Sequence, residues 1–205
     1  MKNIHSQETG RSMVEMLGVL AIIGVLSVGG IAGYSQAMSK FKVTKTTDQI
    51  QTMVTNIRTL FSTQRTYAGV ATNSTMYATG VFTDEICSDG ATCANPTNPF
   101  GGKIQLSTTK VGVADKGFAV AYSGLPADAC VRLAMQDWGD ASSGLMCVHV
   151  NKTAAVISAS DDLASACPNG SKSTSKPGEV PLVLKDAADG CGSSGSTSSI
   201  ILYYR

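Results

Sequence analysis

The chain opens on a short polar segment that is followed by a long apolar one. Residues 1–10 read MKNIHSQETG, whereas Glu15 is the only charged residue from Val14 to Tyr34. In a helix that rises about 1.5 Å per residue, this apolar run spans roughly 30 Å, the thickness of the hydrocarbon core of a bilayer. The pattern predicts a membrane-spanning helix over residues 14–34, with a polar leader in front of it.

Helical periodicity continues beyond the membrane segment. Apolar residues recur there at spacings of three, four and seven, at Val43, Ile50, Met53, Val54, Ile57, Leu60 and Phe61. No proline interrupts the pattern before Pro96. We therefore predict one long helix within residues 11–66, apolar on all sides in its first half. Its second half has a single apolar face, which would dock on a domain.

After residue 66 the pattern changes to short apolar segments separated by Gly, Asn, Ser and Pro. The predicted strands are Lys103–Leu106, Phe118–Tyr122, Leu145–Val150, Ala155–Ser158, Val180–Leu184 and Ile200–Tyr204. Helices are predicted at Pro126–Trp138 and Ser160–Ala166. The expected fold class is α+β, with the long N-terminal helix packed on an antiparallel sheet in a head domain of residues 67–205.

Six cysteines lie in the head, at Cys87, Cys93, Cys130, Cys147, Cys167 and Cys191. None belongs to a C-x-x-C pair and the chain has only two histidines, so we expect no metal site. An even number of cysteines that lack the sequence spacing of metal ligands predicts up to three disulfides in an oxidising compartment. Cys87 and Cys93 are close enough in the sequence for a disulfide between them to close a small local loop. The net charge of +1 favours no nucleic-acid partner.

The N-terminal string G-R-S-M-V-E-M-L resembles the prepilin peptidase recognition site of type IV pilins. The resemblance implies cleavage between Gly10 and Arg11, which removes residues 1–10 as a leader. It also implies N-methylation of the new terminus at Arg11, where the best-known pilins carry Phe. Glu15 becomes the fifth residue of the mature chain, and the resemblance gives it an assembly role, paired with the N-terminal amine of a neighbouring subunit.

The head resembles that of the type IVb pilins, which include the bundle-forming and thin conjugative pilins. The matching segments are NPFGGKIQL (98–106), GFAVAYSGLPADACVRLA (117–134) and DLASAC (162–167). This resemblance implies a disulfide between Cys130 and Cys167. By subtraction, Cys147 is then left to pair with Cys191.

The expected function is that of a structural subunit of a type IV pilus, for adhesion, aggregation, motility or conjugative contact. By resemblance, the precursor sits in the bacterial inner membrane with its head in the periplasm. It then joins an extracellular homopolymer with the help of the peptidase, a motor ATPase and a platform protein. We expect no cofactor and no enzymatic activity. His149 lies two residues from Cys147, on one face of a predicted strand, but a bridged cysteine has no thiolate to act as a nucleophile.

Two other functions remain open from the sequence. A pseudopilin of a type II secretion apparatus, or a minor pilin, would share the leader and the helix. A membrane-anchored binding protein that never polymerises would keep its leader. Three disulfides favour a surface-exposed pilus, because covalent cross-links stabilise a protein that is exposed outside the cell.

Overall fold

Helix α1 runs from Thr9 to Phe61 in the computed structural model, which describes residues 9–139, 143–153, 181–193 and 197–205. The 53 residues contain no proline, and the chain leaves the helix in a turn where the Gln64 amide donates to the Phe61 carbonyl oxygen at 2.9 Å. Gly69 follows with a φ of +93°, a conformation that favours glycine. The long N-terminal helix predicted from the sequence is confirmed.

The chain divides into two compact units, residues 1–41 and 42–205. The second unit therefore contains the C-terminal part of α1 together with the rest of the chain. In this part of α1 the buried apolar side chains are Ile50, Met53, Val54, Ile57 and Phe61. Their spacing of three and four residues places them on one face, which packs into the core of the second unit.

Within the described residues the sheet has four antiparallel strands, β1 (Ile104–Val111), β2 (Val113–Pro126), β3 (Leu145–Asn151) and β4 (Thr197–Tyr204). Their spatial order is β1-β2-β4-β3. Strands β1 and β2 form a hairpin that turns at Gly112, with a φ of +72°. In the register of the two central strands, Phe118 lies opposite Tyr204 and Tyr122 opposite Ile200. All four side chains join the core that α1 covers, as the α+β fold predicts.

The described part of the second unit also contains short helices: α2 (Asn73–Ala78), a 3-10 turn (Gly90–Thr92), α3 (Ala127–Ala134) and α4 (Leu184–Cys191). Helix α3 confirms the helix predicted after Pro126 but ends four residues earlier. The predicted strand Val180–Leu184 is wrong over its described part, because residues 181–183 are irregular and Leu184 begins α4. The predicted strand Ala155–Ser158 and helix Ser160–Ala166 lie outside the described residues.

The segment before β1 is fixed by the buried side chain of Asn98. Its Nδ2 donates to the carbonyl oxygen of Ser123 at 2.8 Å. Its Oδ1 accepts from the amides of Phe100 (2.9 Å) and Gly102 (3.1 Å). A Cβ at Gly102 would collide with the backbone of Ser123, so only glycine fits there. Phe100 lies in this loop, and the centroid of its ring is 5.7 Å from Nζ of Lys42 on α1.

Candidate functional site

The N-terminal part of α1 exposes an unusual amount of apolar surface. Thirteen large apolar side chains between Met13 and Tyr34 are each 52–75% exposed. Among the described residues, one helix, Met13–Phe61, is long and apolar enough to cross a membrane. A fully exposed aliphatic side chain is disfavoured in water by roughly 1.5–3 kcal/mol relative to a buried one. This surface therefore needs lipid or another apolar partner.

The hydroxyl groups in and beside this segment are compatible with an apolar environment. Ser27 Oγ donates to the carbonyl oxygen of Ile23 at 2.7 Å, and Ser35 Oγ to that of Ala32 at 2.9 Å. Because these hydroxyls bond within their own helix, they need no water. A Cβ built on any glycine from Gly18 to Gly33 meets no atom within 4 Å, so these positions are open to the approach of a second helix.

The residues predicted for processing and assembly all lie at the start of α1. Gly10 and Arg11 are in its first turn, and Glu15 follows on its exposed surface between Val14 and Met16. The spacing of four residues places positions 11 and 15 on the same side of the helix. The structure thus puts a carboxylate at the beginning of the apolar surface, one turn after the predicted cleavage point.

The structure corrects two of the three disulfides expected from the sequence. Cys87 and Cys93 are bonded, with their Cα atoms 4.8 Å apart, as the local spacing predicts. Cys130, however, is bonded to Cys191, with a Cα separation of 5.8 Å. The pairings Cys130–Cys167 and Cys147–Cys191 are therefore wrong. The reason is that the chain from Leu184 to Cys191 forms helix α4, which lies beside α3 and brings Cys191 to Cys130.

The possible Cys–His pair on β3 does not form a nucleophilic site. Cys147 is disulfide-bonded and fully buried, so it offers no thiolate. Burial lowers the pKa of His149 below its ordinary value, because the imidazolium loses hydration there. In the part of the chain that the structure describes, no group of three or more His, Cys, Asp or Glu residues could hold a metal ion.

A second surface feature was not predicted from the sequence: an apolar groove between α3 and α4, called here the α3–α4 groove. It is lined by Pro126, Ala127, Asp128, Val131, Arg132, Met135 and Leu184. The Cys130–Cys191 bond joins its two helices, and the Leu182 amide donates to the Ala134 carbonyl oxygen at 3.2 Å. The signal that could have revealed it is the helical spacing of Leu184, Ala187 and Cys191.

Comparisons with known proteins match this architecture. The family model described as Bundlin matches residues 35–185, or 151 of the 205 residues. The crystal structure of a type IV b pilin from Salmonella typhi is similar with a TM-score of 0.53 and 19% identity, covering 79% of this chain and 98% of that one. At this identity the likeness shows the fold alone.

A structure of TcpA, a type IV pilin from the Vibrio cholerae El Tor biotype, is similar with a TM-score of 0.45 and 16% identity. That comparison covers 80% of this chain and 99% of TcpA. No curated protein matches the sequence. The family model begins at residue 35, so the residues predicted for processing and assembly, which lie before it, are supported by the sequence motif alone.

Proposed function

Because the chain belongs to the Bundlin family of type IVb pilins, we propose that it is cut once after Gly10 and polymerised into an extracellular pilus. Its family and fold support a structural subunit of a pilus. The observation that carries the proposal is the exposed apolar surface from Met13 to Tyr34, attached to a separate compact unit. A pilin needs both parts: one that moves between lipid and a filament core, and one that faces water.

The first step of the proposal is processing at the inner membrane. Residues 1–10 are the leader, and prepilin peptidase cuts between Gly10 and Arg11. The new N-terminal amine at Arg11 is the site of N-methylation. Residues 14–34 anchor the precursor, and the head, residues 67–205, lies in the periplasm, where an oxidising environment supports its disulfides.

The second step is transfer of the apolar segment from lipid to the filament. Once the subunit is extracted, its apolar side chains need an equally apolar environment, and identical helices in a bundle provide one. The open glycine positions allow the helices to approach closely. Polymerisation through α1 thus replaces lipid contacts with helix contacts, with assistance from a motor ATPase and a platform protein.

Glu15 fixes the axial register between neighbouring helices in this bundle. A carboxylate that is removed from water without a partner is disfavoured by several kcal/mol. The N-terminal ammonium of a neighbouring subunit at Arg11 would compensate the charge of Glu15. Such pairing fixes the axial offset between subunits, which apolar contacts alone do not specify. The filament then serves adhesion, aggregation, motility or conjugative contact outside the cell.

The experiment is to shear cells that make the protein and to examine the released fraction by immunoblot and electron microscopy. The proposal predicts filaments that contain this chain as their main component. A protein that stays entirely in the membrane fraction as a monomer would instead be an anchored binding protein. Restriction of the chain to short periplasmic assemblies would identify a pseudopilin.

A further inference from the structure

The exposed apolar side chains of the second unit are concentrated in two places. Among its described residues, four large apolar side chains are 40–63% exposed, namely Val113, Met135, Val183 and Leu184. Met135 and Leu184 line the α3–α4 groove, and Val183 directly precedes α4. The fourth, Val113, lies at the turn of the β1–β2 hairpin, called here the hairpin tip. The three side chains at and beside the groove form a cluster, and water-facing apolar clusters mark interaction sites.

The α3–α4 groove is held in place by covalent and hydrogen bonds. The Cys130–Cys191 disulfide joins its two helices, and the amide of Leu182, two residues before α4, donates to the Ala134 carbonyl oxygen. Leu133 and Ala134 are fully buried beneath it, so α3 has little freedom to shift. A pre-formed pocket binds without first losing conformational entropy.

The hairpin tip is held just as firmly. Lys116 Nζ donates to the carbonyl oxygen of Arg65 at 2.6 Å, and the Tyr67 amide donates to that of Asp115 at 2.8 Å. These two bonds fasten β2 to the segment that follows α1. Val113 is therefore presented to solvent on a fixed support, with 62% of its surface exposed.

The described residues around the two places differ in net charge. Beside the hairpin tip they include three basic residues, Arg65, Lys110 and Lys116, and one acidic residue, Asp115. Around the groove they include Lys185 and Asp189, which are 2.9 Å apart, three more acidic residues, Asp128, Asp137 and Asp186, and the basic residue Arg132. A positive patch meeting a negative one favours and orients association.

The two places lie at opposite ends of one strand. Strand β2 begins at Val113 in the hairpin tip and ends at Pro126 on the wall of the groove. Its 14 residues extend over roughly 40 Å at about 3.3 Å each. Within one molecule the two surfaces therefore cannot meet. A contact between the two surfaces therefore has to join different molecules head to tail, and a head-to-tail contact whose rotation does not close generates an open filament.

We propose that Val113 at the hairpin tip of one subunit inserts into the α3–α4 groove of the next copy of this chain. The contact rests on the proposed polymerisation and adds to it a specific bond between heads. The helix bundle supplies apolar contacts between subunits, whereas the contact between heads fixes the orientation of each head relative to the next. It also gives the Cys130–Cys191 bond a part in assembly, since that bond holds the receptor groove together.

Substitution at the hairpin tip tests the contact in sheared filaments. Val113→Asp places a charge in the apolar groove, and we expect the filament yield to fall about tenfold at an unchanged level of membrane precursor. Ala114→Asp is the matched control, because the neighbouring side chain on a strand points to the opposite face. Wild-type yield from Val113→Asp would overturn the contact, as would an equal defect in both variants. Absence of filaments from the wild type would instead refute the proposed function.

Photo-crosslinking identifies the partner surface directly. A benzophenone amino acid at position 113 of the full chain should give, in filaments, adducts to peptides that contain Met135 or Leu184. The same group at Ser74, which is exposed on α2, should not label those peptides. Adducts from position 113 to any other region, or none in assembled filaments, would overturn the proposal.

Discussion

Asn98 organises the segment between α1 and the sheet through a single side chain. It makes three hydrogen bonds, to the backbone of Ser123, Phe100 and Gly102, while 95% of its surface is buried. The bonds from Phe100 and Gly102 close the turn that follows Asn98, and the bond to Ser123 attaches this turn to β2. Buried polar groups of this kind stabilise only when all of them are paired.

We expect Asn98→Ala to lower the free energy of unfolding by about 3 kcal/mol, because three backbone groups lose their partner. Asn95→Ala is the control, since Asn95 is exposed in the same segment. Thermal unfolding can be followed by the fluorescence of Trp138, the only tryptophan, which is buried with Nε1 bonded to Leu133. Equal melting temperatures for the two variants would refute the role of Asn98.

For Glu15, we expect Glu15→Ala to leave processing and membrane insertion intact and to reduce the filament yield strongly. The apolar surface that inserts into lipid is unchanged, but the neighbour's terminal ammonium loses its counter-charge. Asp48→Ala is the control, because Asp48 is an exposed carboxylate further along the same helix. Quantitative immunoblots of membrane and sheared fractions measure both steps. Normal pilus yield from Glu15→Ala would count against the assembly role.

Residue patterns identify strands where the residues are apolar, as in Phe118–Tyr122 and Ile200–Tyr204, and miss their polar continuations. The sequence predicts that strand β1 ends at Leu106, but it continues to Val111 through Ser107, Thr108 and Thr109, which are buried polar residues. Their place in the sheet depends on pairing with β2, where Ser107 faces Ala119 and Thr109 faces Gly117. These small partners lie some ten residues away in sequence, so a local pattern does not contain the information.

Among the elements, α4 differs most from the sequence prediction. Residues 180–184 predict a strand because they are apolar and close to Pro and Gly. The helical signal lies further on, where Leu184, Ala187 and Cys191 share a face and Lys185 pairs with Asp189 one turn later. That spacing is the local signal for one wall of the groove, whereas the disulfide that joins its two helices links residues 61 positions apart and has no local signal.

The two described disulfides should differ in their effect on stability. A cross-link that closes a loop of 61 residues removes about 4 kcal/mol of chain entropy from the unfolded state, whereas one that closes 6 residues removes about 2 kcal/mol. Paired Ser substitutions at Cys130 and Cys191 should therefore lower the melting temperature more than the same change at Cys87 and Cys93. The opposite order would show that α3 and α4 are held together mainly by packing.

A third disulfide follows from counting the cysteines. Four of the six are used by the two described bonds, and Cys147 is disulfide-bonded as well. We therefore predict that Cys147 pairs with Cys167, which lies outside the described residues. Mass mapping of peptides from the unreduced protein checks this, with Cys130–Cys191 as the internal control. A peptide that links Cys167 to Cys130, as in the pairing expected from resemblance, would contradict the account.

The whole molecule combines two units with different requirements. Residues 1–41 carry an apolar surface that needs a non-aqueous partner, and residues 42–205 form a cross-linked unit with its own core. A long apolar run and an even set of cysteines are local or compositional signals, so the sequence predicts an apolar helix followed by an exported head. It does not predict that the second unit begins at residue 42, because that boundary depends on the packing of the C-terminal part of α1 into the core. The surfaces by which heads would meet were not predictable, since they depend on which residues the fold leaves exposed.

Intact mass and N-terminal sequencing of protein sheared from the cell surface test the central claim most directly. The account predicts a chain that starts at Arg11 and is lighter by about two daltons per disulfide than its reduced form. An additional mass of about 14 daltons at the terminus would locate the N-methyl group. A chain that starts at Met1, or one that is missing from the sheared fraction, would contradict processing and polymerisation together.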